Sequence, residues 1–153
     1  MTLQAGDKAP DFKLESDAGK VSRTSLKGKP FVVYFYPKDD TAGCTKEAIA
    51  FSAALKKFEK LGISVLGVSK DSLAAHEKFK AKHRLKIALG SDPETVMAKD
   101  WGVWGEKTLY GRKYMGMERA TFLVDAKGKI AAAWRKVKVP GHVENVLQAA
   151  ASL

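Results

Sequence analysis

Phe31-Val32-Val33-Tyr34-Phe35-Tyr36-Pro37 is the stretch that decides the fold. Its unbroken run of β-branched and aromatic residues reads as a strand buried on both faces. Pro37 cannot donate a ladder hydrogen bond, so it stops the strand. After a loop, Ala48, Phe51, Leu55, Phe58 and Leu61 recur at helical spacing, which predicts an amphipathic helix from Cys44 to about Leu61. Gly62 is placed to end it. Ile63 to Val68 then repeats the buried-strand pattern.

The alternation continues outward from this unit. Ser72 opens a helix carrying Leu73, His76, Phe79 and His83, and Ala88-Leu89 is a brief strand. Asp92-Pro93-Glu94 starts a short helix towards Trp101, and Gly102 to Gly116 reads as a glycine-rich loop. Thr121–Val124 and Ile130–Trp134 are strands of a hairpin around Ala126-Lys127-Gly128, and Gly141 to Leu153 is the last helix. Upstream, Asp11-Phe12-Lys13-Leu14 alternates as a half-buried strand. Asp17-Ala18-Gly19-Lys20 is a hairpin turn, and Leu26 to Pro30 is another turn. Strand–helix alternation implies an α/β fold with a parallel core covered by helices. The closing hairpin and helix make the pattern thioredoxin-like, with a central mixed sheet and an N-terminal β-hairpin extension. No repeat or linker divides the chain, so residues 1–153 are expected to form one domain.

Composition narrows the classes. Apolar residues make up 45% and charged residues 29%, which excludes disordered and collagen-like chains. The formal net charge of +10 suits acidic partners. Lys78, Lys80, Lys82, Arg84 and Lys86 occur with no acid among them, and Lys127 to Lys138 is a second basic stretch. These read as solvated faces, or as docking surface for an acidic redox protein. No stacking aromatics alternate with the charges, so nucleic acid is not an expected partner. A single cysteine forbids an internal disulfide, a cysteine zinc cage and a CxxC pair. His76, His83 and His142 lack ligand spacing, so neither a metal nor a cofactor is expected. No basic-then-apolar leader or membrane-length apolar run is present, and a cytoplasmic location is expected.

Cys44 stands at the first turn of a helix that follows a buried strand. A lone cysteine is ordinarily a small buried hydrophobe. A thiol at a helix N-terminus, however, meets unpaired N–H groups and the positive end of the dipole, which favour the nucleophilic thiolate. Trp101, Trp104 and Trp134 read as core residues, the first two alternatively as walls of a pocket beside the Gly102–Gly116 loop.

Tyr36-Pro37-Lys38-Asp39-Asp40-Thr41-Ala42-Gly43-Cys44-Thr45-Lys46-Glu47-Ala48 contains Pro-x-x-x-Thr-x-x-Cys. This closely resembles the active-site signature of peroxiredoxins, in particular the bacterioferritin comigratory protein or PrxQ branch, whose common form has Pro where this chain has Ala42. The resemblance extends to Gly6-Asp7-Lys8-Ala9-Pro10-Asp11-Phe12, to Arg119-Ala120-Thr121-Phe122-Leu123-Val124-Asp125 and to Gly128-Lys129-Ile130. It implies a thiol-dependent peroxidase that reduces hydrogen peroxide and organic hydroperoxides. Cys44 would attack the peroxide. Thr41 would supply a hydroxyl, Arg119 a guanidinium and Gly43 a backbone N–H. Pro37 would shield the thiolate and Glu47 would contact Arg119. Family members often carry a second, resolving cysteine five residues on, here Ile49, or in the next helix, here Phe79 to Lys82. Neither place has one, so the resemblance implies a 1-Cys enzyme whose sulfenic acid needs an external thiol: thioredoxin, glutaredoxin or a small thiol. A monomer or weak homodimer, without membrane association, goes with this reading. The competing reading is a non-enzymatic basic binding protein on the same fold with Cys44 vestigial.

Overall fold

The computed structural model describes residues 3–153. Its elements in chain order are β1 (Lys13–Ser16), β2 (Gly19–Ser22), β3 (Phe31–Phe35), α1 (Ala42–Lys60), β4 (Ser64–Ser69), α2 (Leu73–His83) and β5 (Ala88–Ser91). Then come α3 (Val96–Asp100), β6 (Trp104–Leu109), β7 (Arg112–Met117), β8 (Ala120–Val124), β9 (Ile130–Trp134) and α4 (His142–Ala151). A short 3-10 turn, Thr24–Leu26, joins β2 to β3.

The main sheet has the order β2-β1-β5-β4-β3-β8-β9. β3, β4 and β5 run parallel, and antiparallel strands flank them on both sides, so the sheet is mixed in the thioredoxin-like manner expected. The N-terminal hairpin is not an appendage: β1 pairs with β5 and lengthens the sheet. β1 begins at Lys13, two residues later than Asp11-Phe12 suggested.

β3 shows why the fold forms. All five residues are buried, and alternate side chains serve opposite cores. Phe31, Val33 and Phe35 pack with Trp101, Phe122 and Met97, while Val32 and Tyr34 pack with Phe51 and Phe58 of α1, Phe79 of α2 and Val146 of α4. Tyr34 stands opposite Gly67 in the parallel register. A Cβ on Gly67 would lie 2.7 Å from the Tyr34 ring, so only glycine admits that ring here.

The segment Gly102–Gly116 is not a loop. It holds β6 and β7, a separate two-stranded ribbon. Its turn is Tyr110-Gly111, both at positive φ (51 and 76), and Tyr110 is 97% exposed. The ribbon touches solvent on both faces, so no inside–outside alternation marks its strands in the sequence. Trp101 is fully buried between Phe12, Phe35 and Phe122, so it is a core residue and not a pocket wall. Trp104 starts the ribbon, with the Lys70 ammonium 5.7 Å above its ring.

Candidate active site

The site is assembled by strand ends. β3 and β8 are antiparallel with Phe35 opposite Ala120. The residues just beyond that pair, Tyr36 and Arg119, therefore leave the sheet at the same edge. The loop of residues 37–41 turns the chain from β3 into α1, and Cys44 is the third residue of that helix. α1 starts at Ala42, two residues before the expected start.

Cys44 is buried, with 1% of its surface exposed. Arg119 reaches it from the start of β8: Nη2 lies 3.4 Å from Sγ, and Nη1 donates to Glu47 Oε1 at 2.8 Å. Glu47 is fully buried one helical turn after Cys44, so a single guanidinium fork spans thiol and carboxylate. Gly43 is the reason the fork can approach: a Cβ there would lie 3.1 Å from Nη2. Burial pushes the Glu47 carboxyl up from an ordinary 4.5 to about 7, against the opposing pull of Arg119. Its second oxygen, Oε2, has no partner, and neither has the buried Tyr34 hydroxyl.

Thr41 occupies the N-cap position with extended backbone, yet its side chain caps no helical N–H. The hydroxyl instead donates to the Lys38 carbonyl at 2.8 Å. Its proton is committed backwards into the loop, and its oxygen keeps lone pairs to offer. Pro37 is half-buried at the start of the loop, directly after the fully buried Tyr36. The first helical N–H groups, Gly43 and Cys44 among them, have no carbonyl one turn back inside the helix.

Residues that sequence reasoning treated as background surround this loop. His76 is fully buried and meets Asp39 at 2.6 Å, and His83 and Lys82 meet Asp40 at 2.8 and 2.7 Å. The seven-residue spacing of the two histidines places them on one helix face, and that face turns out to address consecutive loop residues. The basic stretches are also less free than their composition suggests. Lys80 pairs with Asp17, and Arg135 pairs with Glu118 at 2.6 Å. His142 is buried against Thr121 at 2.7 Å. Burial, helped by the Arg119 charge, pulls its pKa down to about 4 and keeps it neutral.

The AhpC/TSA family matches residues 5–133. Peroxiredoxin Bcp of Bacillus subtilis is 47% identical, covering 97% of this chain and 95% of its own. Peroxiredoxin Bcp of Escherichia coli is 39% identical, covering 95% and 94%. Among solved structures, peroxiredoxin Q of Xanthomonas campestris superposes with a TM-score of 0.90 at 40% identity, covering 97% of both chains. A PrxQ mutant of Xylella fastidiosa gives a TM-score of 0.92 at 36% identity, covering 99% and 98%. No helix among the described residues is long and apolar enough to cross a membrane. With sequence and fold matched over nearly the whole chain, it belongs to the AhpC/TSA family, among its peroxiredoxins of the Bcp or PrxQ type.

Proposed function

We propose that the chain is a 1-Cys thiol-dependent peroxidase for hydrogen peroxide and small organic hydroperoxides, with Cys44 as its nucleophile. The observation that carries the reading is the Arg119 fork, with Nη2 at 3.4 Å from Sγ and Nη1 fixed on Glu47. A related solved protein, the bacterioferritin comigratory protein of Xanthomonas campestris, is described by its alkyl peroxide reduction activity. That supports including organic hydroperoxides.

In this reading the Cys44 thiolate attacks one peroxide oxygen. The S–O bond forms as the O–O bond breaks. The sulfur is oxidised to sulfenic acid, and the other oxygen leaves with a proton as water or alcohol. Arg119 faces the sulfur and stabilises charge that develops on the departing oxygen. The N–H groups at the start of α1 serve the same charge. Thr41 accepts the peroxide's hydrogen, since its own proton is spent on Lys38. Glu47 orients the guanidinium, Gly43 leaves it room, and Pro37 covers the loop side of the sulfur. One external thiol then attacks the sulfenic sulfur and releases water, leaving a mixed disulfide. A second thiol frees Cys44 and departs as the disulfide. Cys44 is the only cysteine in the chain, so no internal thiol competes for the sulfenic sulfur. A cytoplasmic setting, where thiol reductants abound, fits this cycle.

Peroxide consumption with thioredoxin, glutaredoxin and small thiols supplied separately tests the reading. At least one reductant should sustain turnover by the wild-type chain and none by Cys44→Ser. Wild-type consumption no faster than the Cys44→Ser background with every reductant would overturn it.

A further inference from the structure

The loop of residues 37–41 carries Thr41 and leads into Cys44, yet its firmest attachments are to neither. Asp39, 9% exposed, sits in the middle of the loop. Its Oδ2 faces His76 Nδ1 at 2.6 Å, its Oδ1 accepts from the Tyr36 hydroxyl at 2.6 Å, and its backbone N–H donates to Asp71 Oδ2 at 2.9 Å. The second nitrogen of His76, Nε2, lies 2.9 Å from the Gly90 carbonyl on β5. A carbonyl offers only lone pairs, so Nε2 carries a hydrogen. The Nδ1–Asp39 contact shares another. With a carboxyl group on one side and a carbonyl on the other, the ring has an acceptor for a hydrogen on each nitrogen.

We propose that His76 is a positioning residue for the chemistry at Cys44: donating from both ring nitrogens, it ties the catalytic loop to α2 and to β5, and this hold weakens as pH rises. The inference rests on the peroxidase reading only for its effect on rate; the tie itself is a property of the fold. Burial alone would lower the affinity of His76 for its proton. The Asp39 hydrogen bond and charge, the Gly90 carbonyl and the nearby Asp71 charge outweigh burial and hold the imidazole above its ordinary 6.5. The groups that face the ring are therefore Asp39 from the loop, Tyr36 from the end of β3, Asp71 ahead of α2 and the Gly90 carbonyl from β5. A raised pKa fixes the sign. The tie is complete below the ordinary histidine value and is lost as pH rises through the folded one. A neutral ring has one hydrogen and can serve Asp39 or Gly90, not both. A second tie, from Asp40 to Lys82 and His83, lies at the exposed rim where solvent screens it, so it does not replace the buried one.

The test compares Cys44 oxidation by hydrogen peroxide, followed by rapid quench and mass spectrometry, with iodoacetamide alkylation of the same thiol, from about pH 6 to about pH 9. Both reactions need the thiolate, so their ratio cancels its ionisation. The wild-type ratio should fall as pH rises, along the same midpoint as the His76 ring titration seen by nitrogen NMR. Glu47 titrates beside Arg119 near 7, so the falling limb is assigned by difference. In His76→Gln, whose amide is uncharged and has one donor end, the ratio should drop on the order of 10-fold to 10²-fold at the low end, and the falling limb should vanish. Asp39→Asn should behave alike, and backbone amides of residues 39–41 should exchange faster in both. Unchanged ratios and pH course in both variants would overturn the proposal, as would a singly protonated ring in the wild type at neutral pH. Should neither variant fold, the wild type decides: separate midpoints for ring and rate reject the tie. A wild-type thiol no faster with peroxide than free cysteine rejects the peroxidase reading. The ring state and amide exchange then judge the tie by themselves.

Discussion

Glu47→Gln offers a test whose size follows from the burial of one carboxyl. In the folded chain its pKa rises from 4.5 to about 7, because burial disfavours the ionised form more than Arg119 favours it. The folded state therefore binds this proton more tightly than the unfolded state, by roughly two and a half pH units. At about 1.4 kcal/mol per unit that is about 3 kcal/mol. The sign runs against the usual carboxylate. Below the unfolded value both states are protonated and nothing is lost. Stability then falls as pH rises from 4.5 through about 7, and the whole cost is present above that. Glutamine keeps an acceptor for Arg119 but cannot ionise. It also places an amide where Oε2 has no partner, an offset that does not vary with pH. The assay is urea unfolding of wild type and Glu47→Gln at about pH 4 and about pH 8, read as the change in their stability difference. The variant should gain about 3 kcal/mol on the wild type between those limits. Its peroxide reactivity should fall, since a neutral amide orients the guanidinium less firmly. A stability difference that stays constant, or moves towards the wild type with rising pH, would show that burial does not govern this carboxyl.

Substitutions at three positions probe the remaining groups. Arg119→Ala should lower the rate of Cys44 oxidation by peroxide on the order of 10²–10³, with Arg119→Lys recovering only part, because an ammonium cannot span Sγ and Glu47 at once; full recovery in rapid-quench kinetics would reduce Arg119 to a point charge. Gly43→Ala sets a methyl 3.1 Å from Nη2 and should slow peroxide oxidation while leaving the unfolding midpoint near that of wild type. An unaltered oxidation rate would show that the fork tolerates displacement. Thr41→Val should slow peroxide oxidation far more than iodoacetamide alkylation, and Thr41→Ser should restore it. Equal losses with both reagents would assign Thr41 to holding Lys38 alone.

Most of the fold was legible because its decisive elements bury surface in a regular way. β3 shows an unbroken apolar run because both its faces are covered, and α1 shows helical spacing because only one of its faces is. The β6–β7 ribbon escaped because neither period applies to strands exposed on both sides. Its turn is also disguised. Tyr110 takes the positive φ usually left to Asn or Asp ahead of Gly111, so no familiar turn dipeptide marks it. At the site, Cys44, Arg119 and Glu47 were named from the motif and the structure places them in contact. The orientation of the Thr41 hydroxyl was not legible, since it depends on where the Lys38 carbonyl points. Nor was the role of His76: its partners lie 37 residues back and 14 residues ahead, and only sheet order brings them together.

The distribution of buried polar groups suggests what this loop is built to do. Glu47, Asp39, His76 and Ser69 are all buried near the carboxyl ends of β3 and β4, and Tyr34 adds an unpartnered hydroxyl. Each unpartnered buried group, here the Tyr34 hydroxyl and Glu47 Oε2, costs about 1–3 kcal/mol. The polar groups fix one geometry, because each accepts only a few partners in particular directions. The same logic applies to α2. The segment Phe79 to Lys82, where some family members carry a second thiol, here supplies Lys82 to hold Asp40 of the loop. An enzyme that resolves its sulfenic acid internally must bring that second thiol to the sulfur. A chain without one has no need to use α2 that way, and here the helix holds, through His76 and Lys82, the loop that carries Thr41 and leads into Cys44.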